Sequence, residues 1–386
     1  MSKLLVLFLI LCVSFCALAQ QEADSLSVPS LEKENPSISF SGQVTGWSVL
    51  QFVRPVNTQL GGRFVPTLMG KYRNLDAEVS ANLQSVGDFS RARRDTAIHT
   101  LKPYRAWLRY SGENWELRGG LQKINFGAAK MFRPLMWFDR MDVRDPLQLT
   151  DGVHALLGRY FFENNANIWL WSLIGNEQPK GFESIGTAKW LPEIGGRFQF
   201  PLGRGEMAFA AHYRKIDTET STDETRLSES RIGMDGKWDV GIGLWFETSA
   251  TVTQENRQNI PRYQHLFNVG GDYTLPIGNG LGASVEYFRM HLGNRFFDGG
   301  INASIVGAMF NYPLSILDDI SAMFFYVTEH NLWFNYLNYK RTYNNLQIYL
   351  IGFWNPEVNL PIGTIQSAQR NLFAGKGVQL MINYNF

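Results

Sequence analysis

The chain ends in "GVQLMINYNF" (377–386). Val378, Leu380, Ile382, Tyr384 and Phe386 alternate with Gln379, Met381, Asn383 and Asn385. Period two with one apolar face is the signature of a strand. The aromatic at the last position is unusual, because termini fray unless they are tied down. A soluble sheet accounts for the alternation but not for that residue. The rest of the chain decides between the two readings.

The same alternation recurs upstream. In "AEVSANLQ" (77–84), Ala77, Val79, Ala81 and Leu83 oppose Glu78, Ser80, Asn82 and Gln84. In "YRAWLRY" (104–110), Tyr104, Ala106, Leu108 and Tyr110 oppose Arg105, Trp107 and Arg109. "WELRGGLQ" (115–122), "EMAFAAHYR" (206–214) and "ESRIGMDGKW" (229–238) follow suit. About eighteen such segments can be counted, most near the roughly 9–11 residues that cross a membrane as a tilted strand.

Connections alternate in length. Tight ones fall at 74–76, 111–114, 202–205, 239–240 and 277–280; long ones at 88–102, 127–152, 176–193, 254–263 and 355–374. Short periplasmic turns and longer outer loops are the rhythm of a bacterial outer-membrane barrel. An even strand count returns the C-terminus to the side on which the first strand began. Pro201, Pro276 and Pro313 punctuate three descending strands, where a missing donor costs nothing. The "LPIG" motif at Pro361 recurs inside a segment read as an outer loop. A true turn there would change the count by a strand pair, and sixteen strands is the alternative count.

Composition agrees. Residues 1–19 carry Lys3, an apolar run from Leu4 to Phe15 too short to span a bilayer, and a small-residue cleavage site at Ala17-Leu18-Ala19, which together read as a secretory signal peptide. Residues 20–37 read as a flexible periplasmic lead-in, and 38–386 as the barrel. Cys12 and Cys16 both lie in the signal, which excludes a disulfide-stapled domain. Net charge is +1, from 36 basic and 35 acidic residues, giving no support to a nucleic-acid partner. Aromatics make up 14% of the chain, yet no later apolar run reaches the length of a membrane helix.

A transmembrane antiparallel β-barrel answers the opening question. A closed barrel has no edge, so its last strand must pair to the end, with one face in lipid and an aromatic at the interface. Signal, alternation, loop rhythm and "INYNF" together resemble the Gram-negative outer-membrane porin-like barrels. The stretch 117–162, with "GLQKINFG" before a Pro/Asp-rich loop and "GVHAL" after it, resembles the same class. The resemblance implies an outer-membrane location, recognition of the strand ending in Phe386 by barrel-assembly machinery, passage of small hydrophilic solutes, and a homo-oligomer as one option. It assigns no substrate.

Function in such a barrel belongs to the inward face. Arg105, Arg109, Glu116, Arg118, Arg197, Arg214, Arg231 and Glu247 project inward by alternation and are candidate pore-lining residues. Low-dielectric walls would focus their field on small anions; the alternative is that they are structural ion pairs in an unselective pore. A four-residue turn "SGEN" (111–114) would place Arg109 opposite Glu116 and leave Arg105 and Arg118 uncompensated, giving a mild anion preference. The third outer loop interleaves Arg133, Asp139, Arg140, Asp142, Arg144 and Asp145 with Phe132, Met136, Trp137 and Phe138. That pattern suits either a loop folded into the lumen, as in general porins, or an ordered surface loop.

Two other classes compete. A barrel hydrolase would need a nucleophile–base or Asp–His pair. No HExxH, GxSxG or Gly-rich phosphate loop is present, so neither metal nor cofactor is expected. A non-channel barrel serving as a scaffold for surface secretion or adhesion stays open.

Overall fold

The computed structural model describes residues 36–386 except 53–55, 91–95, 221–222, 255–259, 297 and 359–372. The expected signal peptide, almost all of the lead-in, and Pro361 lie outside the described residues. Eighteen antiparallel strands form one sheet. β1 is Ser37–Gln51, β2 Asn57–Tyr72, β3 Leu75–Ser90, β4 Thr96–Ser111, β5 Trp115–Gln122 and β6 Val153–Phe161. β7 is Asn167–Leu173, β8 Glu193–Leu202, β9 Gly205–Thr220, β10 Asp223–Asp239, β11 Gly243–Thr253 and β12 Tyr263–Leu275. β13 is Leu281–Gly293, β14 Ile301–Pro313, β15 Asp318–Val327, β16 Leu332–Tyr343, β17 Leu346–Trp354 and β18 Lys376–Asn385.

Each strand pairs with its chain neighbours, and β18 closes on β1 from Gln43↔Asn385 to Gln51↔Gly377. The seam is sealed to its last residue. Gly42 and Phe386 exchange backbone hydrogen bonds at 3.0 and 3.1 Å, and inside the wall Thr45 donates to Asn383 at 2.8 Å. Outside it, the Phe386 ring lies 5.5 Å from Phe40 and 6.1 Å from Phe64. The terminal aromatic is therefore tied on both flanks.

The outward face is apolar. Leu108, Leu117, Phe209 and Ile232 are all exposed on the isolated chain, as a lipid-facing phase requires. Tyr72, Tyr110, Trp115 and Tyr273 are exposed near one rim, and Phe52, Tyr213, Tyr287 and Trp354 toward the other.

Two sequence expectations need correction. The connection expected over 88–102 is mostly strand: β3 runs to Ser90 and β4 starts at Thr96. A register shift at Ser80/Ala81 skips Tyr104 on β4. Pro103, just before it, has no N–H for the ladder, and the bulge blurs the alternation on which the loop assignment rested. Second, the β4–β5 turn is two residues, Glu113-Asn114, closed by the Gly112 N–H on the Trp115 carbonyl at 2.8 Å. Arg109 therefore stands opposite Arg118, and Glu116 opposite Ser111.

Candidate functional site

The β5–β6 connection (123–152, the third on its side of the barrel) folds into the lumen and crosses it. Its aromatics are buried against opposite walls. Ile124, Phe126, Trp137 and Phe138 pack on Leu157, Trp171 and Leu173 of β6 and β7. Met131 and Phe132 pack on Phe288, Ile305 and Phe325 of β13–β15.

Two wall carboxylates hold the loop by its backbone. Glu286 on β13 accepts from the N–H groups of Lys130 at 2.7 Å, Met131 at 3.1 Å and Phe132 at 2.8 Å. It also accepts from Trp245 Nε1 at 3.0 Å and Asn268 Nδ2 at 2.7 Å. Glu247 on β11 accepts from Ala129 N at 2.7 Å and Leu135 N at 3.2 Å. Gly127 makes the approach possible: its φ is +105°, and a Cβ there would sit 2.3 Å from the Glu247 carboxylate. Fully buried carboxylates are costly unless hydrogen-bonded, and these peptide groups supply the bonds. Glu247, expected to line the pore, is 0% exposed and acts as an anchor.

The β7–β8 connection (174–192) folds in beside it. Glu183 lies 2.9 Å from Arg214 and 2.7 Å from Arg231, and both guanidiniums also bind Glu229. Lys180 and Thr187 reach Glu193, each at 2.8 Å, and His212 completes that carboxylate's shell at 3.0 Å. Arg197 is paired with Asp235 and packs under the Phe126 ring. Arg197, Arg214 and Arg231 were expected to face a water-filled pore. They face inward but are buried, because the two loops cover them. The loops also touch one another. Arg140 donates to the Pro179 carbonyl, and Gly181 (φ +51°) lies so close to the Met136 carbonyl that no side chain fits.

The remaining charges of the third loop divide by environment. Arg133 donates to the Phe126 carbonyl at 2.9 Å. Arg144 pairs with Asp142 at 2.6 Å and donates to Tyr336 Oη at 3.1 Å. Burial works against the charge of Arg144, but Asp142 outweighs it and holds the guanidinium above its ordinary range. Asp145 accepts from Leu147 N at 3.0 Å, and burial raises its carboxyl. Asp139 is buried beside Thr150, and among the described residues neither of its oxygens makes a well-formed hydrogen bond. Burial pushes it up to about 7 despite Lys123, Arg105 and Arg133 nearby.

On β2–β6 the inward side stays partly open at Arg63, Gln84, Trp107, Arg109 and Arg118. Here Glu116 stands among three guanidiniums: Arg159 at 3.0 Å, Arg109 at 3.6 Å and Arg118 at 3.9 Å. Arg109 also binds Asp76 at 2.6 Å. Arg118 and Arg159 stack over Trp107 and Trp169 at 4.7 and 3.7 Å from the ring centroids. Arg105 makes no ion pair among the described residues. Buried, it donates to the carbonyls of Tyr104 and Thr150 at 2.5 and 3.0 Å and so anchors the loop's return. Sequence reasoning missed Arg159, although the alternation in "VHALLGRYF" (153–161) places it on Glu116's face.

No protein-family model matches the sequence, and neither does any curated protein. Among solved structures, OccAB4 of Acinetobacter baumannii aligns over 93% of this chain and 100% of its own, with a TM-score of 0.56 at 9% identity. Pseudomonas aeruginosa OccK5 (OpdH) aligns over 90% and 98%, with a TM-score of 0.56 at 11% identity. The chain has the fold of the Gram-negative outer-membrane porins. This porin-type barrel is also similar to Wzi of Escherichia coli, a carbohydrate-binding β-barrel involved in group 1 capsule assembly. The TM-score there is 0.51 at 11% identity, over 89% of this chain and 84% of Wzi.

Proposed function

We propose that the protein is an outer-membrane channel for small hydrophilic solutes with a mild preference for anions. Its outer half is narrowed by two inward loops, and its open path follows β2–β6. The observation that carries this reading is Glu116 shared among Arg109, Arg118 and Arg159 on a stretch of inner wall that the loops leave partly exposed. Arg109, Arg118 and Arg159 stand against two carboxylates within ion-pair reach, Glu116 and the Asp76 that binds Arg109, and so keep one positive charge that no relevant pH removes and that a narrow low-dielectric passage focuses. Arg118 and Arg159 take the place that Arg105 and Arg118 hold in the sequence argument, because Arg105 is covered by the loop. The long connections face outside, as loop length in this architecture requires.

The test is the reversal potential of the purified barrel in a planar bilayer across a salt gradient. Wild type is expected to favour anions, most strongly at low salt where screening is weakest, and Arg118→Ala/Arg159→Ala is expected to move toward cations. A cation-selective wild type, or no shift in the variant, refutes the reading.

A second reading has its own support. The two loops pack on the walls from β6 round to β16, which also suits a closed barrel working at the cell surface as a scaffold or a carbohydrate-binding component. A folded barrel that passes no current would favour it.

A further inference from the structure

The outward face of β7–β12 is concave. A groove of about 800 Å³ runs across it. Leu170, Gly196, Ala211, Ile232, Ala250 and His265 are successive cross-strand partners along it. Gly196, Ala211 and Ala250 keep its floor low, while Leu170 and Ile232 stand up in the same row. This row crosses five strand spacings, about 24 Å. Because barrel strands tilt by roughly 35–45°, it runs obliquely through the apolar band, from the loop-side end of β12 to the middle of β7.

The loop-side end differs from the rest. Phe296 packs 6.1 Å from His265 and 5.6 Å from Tyr263, forming a lip. His265 bonds to Thr248 Oγ1 at 3.2 Å. Next to this lip, on the membrane face of β13, stands Arg289. It pairs across the ladder with Phe267, one side-chain row from the His265–His291 pair, and on one face such diagonal neighbours are about 7 Å apart. Arg289 is exposed and has no ion pair or hydrogen bond among the described residues. It sits two residues beyond Tyr287, the aromatic of that strand near this rim. An arginine on a barrel's lipid face is tolerated near the interface and not at the midplane, so its guanidinium extends to headgroup level.

We propose that this groove is a binding site for an anionic, phosphate-bearing membrane lipid of the leaflet on the long-loop side. The acyl chain lies over Ala250, bends past Ile232 and continues over Ala211 and Gly196, and the phosphate pairs with Arg289. Charge complementarity selects this occupant. The groove is mostly apolar and has beside its loop-side end a cation, Arg289, with no ion pair among the described residues, which matches an amphiphile with a negative head. The proposal rests on the outer-membrane reading but not on conduction.

The test measures lipid retention by the detergent-folded full chain in native mass spectrometry. The probes are dioleoyl phosphatidic acid and dioleoyl phosphatidylcholine, which share chains and differ in head charge. Wild type is expected to retain phosphatidic acid about fivefold better, the effect of one basic residue at an anionic surface. Arg289→Gln should abolish the preference, and Arg289→Lys should keep it. Ala250→Trp, which fills the groove, should lower retention of both lipids, and inorganic phosphate should not displace phosphatidic acid. Equal retention of the two lipids by wild type, an intact preference in Arg289→Gln, or displacement by inorganic phosphate overturns the site. Current in a planar bilayer, recorded on the same preparations, tests the channel reading separately.

Discussion

Replacing Glu286 with Gln should unlatch the third loop without disturbing the wall. Glu286 accepts three backbone and two side-chain hydrogen bonds with its two oxygens. Glutamine keeps the shape but turns one acceptor into a donor. Whichever oxygen is replaced, one loop N–H, that of Lys130 or Phe132, and one wall donor, Trp245 or Asn268, then face an N–H₂ group. A buried donor left unpaired costs about 1–3 kcal/mol, so the loop N–H alone should cost the seated loop roughly that much. That shifts its seating equilibrium by about 5-fold to 150-fold. Glu247 still holds Ala129 and Leu135, so the full effect needs Glu286→Gln/Glu247→Gln. The assay pairs single-channel conductance with trypsin digestion, which reads Lys130, Arg133 and Arg140 in the loop. The double variant should show larger or unsteady conductance and new cleavage in 123–152, with an intact barrel by heat-modifiable gel mobility. Wild-type conductance together with a protected loop would refute the latch.

Loop seating should also weaken as pH rises. The carboxyl of Asp139 is held up at about 7 when buried in the seated loop, against about 3.9 when free. Its protonated form favours seating; the contribution is complete below about pH 4 and lost by about pH 7, up to roughly 4 kcal/mol. Proteolysis of the loop between pH 4 and 8 should show this trend, and Asp139→Asn should weaken it to the part that Asp145 contributes; an unchanged pH dependence in the Asn variant would exclude Asp139 as a source. On the lipid face, Leu117→Arg should cost about 2–4 kcal/mol if it lies near the midplane, measured by urea unfolding in lipid vesicles, with wild-type stability as the contrary result. Deleting Phe386 should remove the ring contacts to Phe40 and Phe64 and both closing hydrogen bonds with Gly42. Outer-membrane yield should fall while export continues, and normal barrel levels would argue against this view of the seam.

The barrel was legible because its governing pattern is local. Outward Leu108 and Leu117 and inward Arg109 and Arg118 follow from alternation alone, and the aromatics of 132–138 made a loop folded into the lumen one of two readings. What stayed hidden depends on which atoms meet across the lumen. Glu247 and Glu286 look like ordinary inward acids in sequence, since nothing local tells that their partners are peptide N–H groups more than a hundred residues away. Arg231 and Arg214 looked solvated because their cover, Glu183, lies on another loop. The Arg109–Arg118 register turned on a two-residue turn where four residues had seemed plausible. Like charges directly opposite are unfavourable, and the structure tolerates them by setting Glu116 and Asp76 beside them.

The latch on the third loop has a consequence for how such a barrel can change. Glu286 grips Lys130, Met131 and Phe132 through atoms that every residue but proline possesses. Its hold is blind to which side chains those positions carry. Substitutions that alter the charge or bulk the loop presents to a passing solute therefore leave the hydrogen bonds at Glu286 in place, provided the packing around Phe132 is kept. The parts that hold the constriction and the parts that would discriminate among solutes are chemically independent, so one could be rewritten while the other is retained.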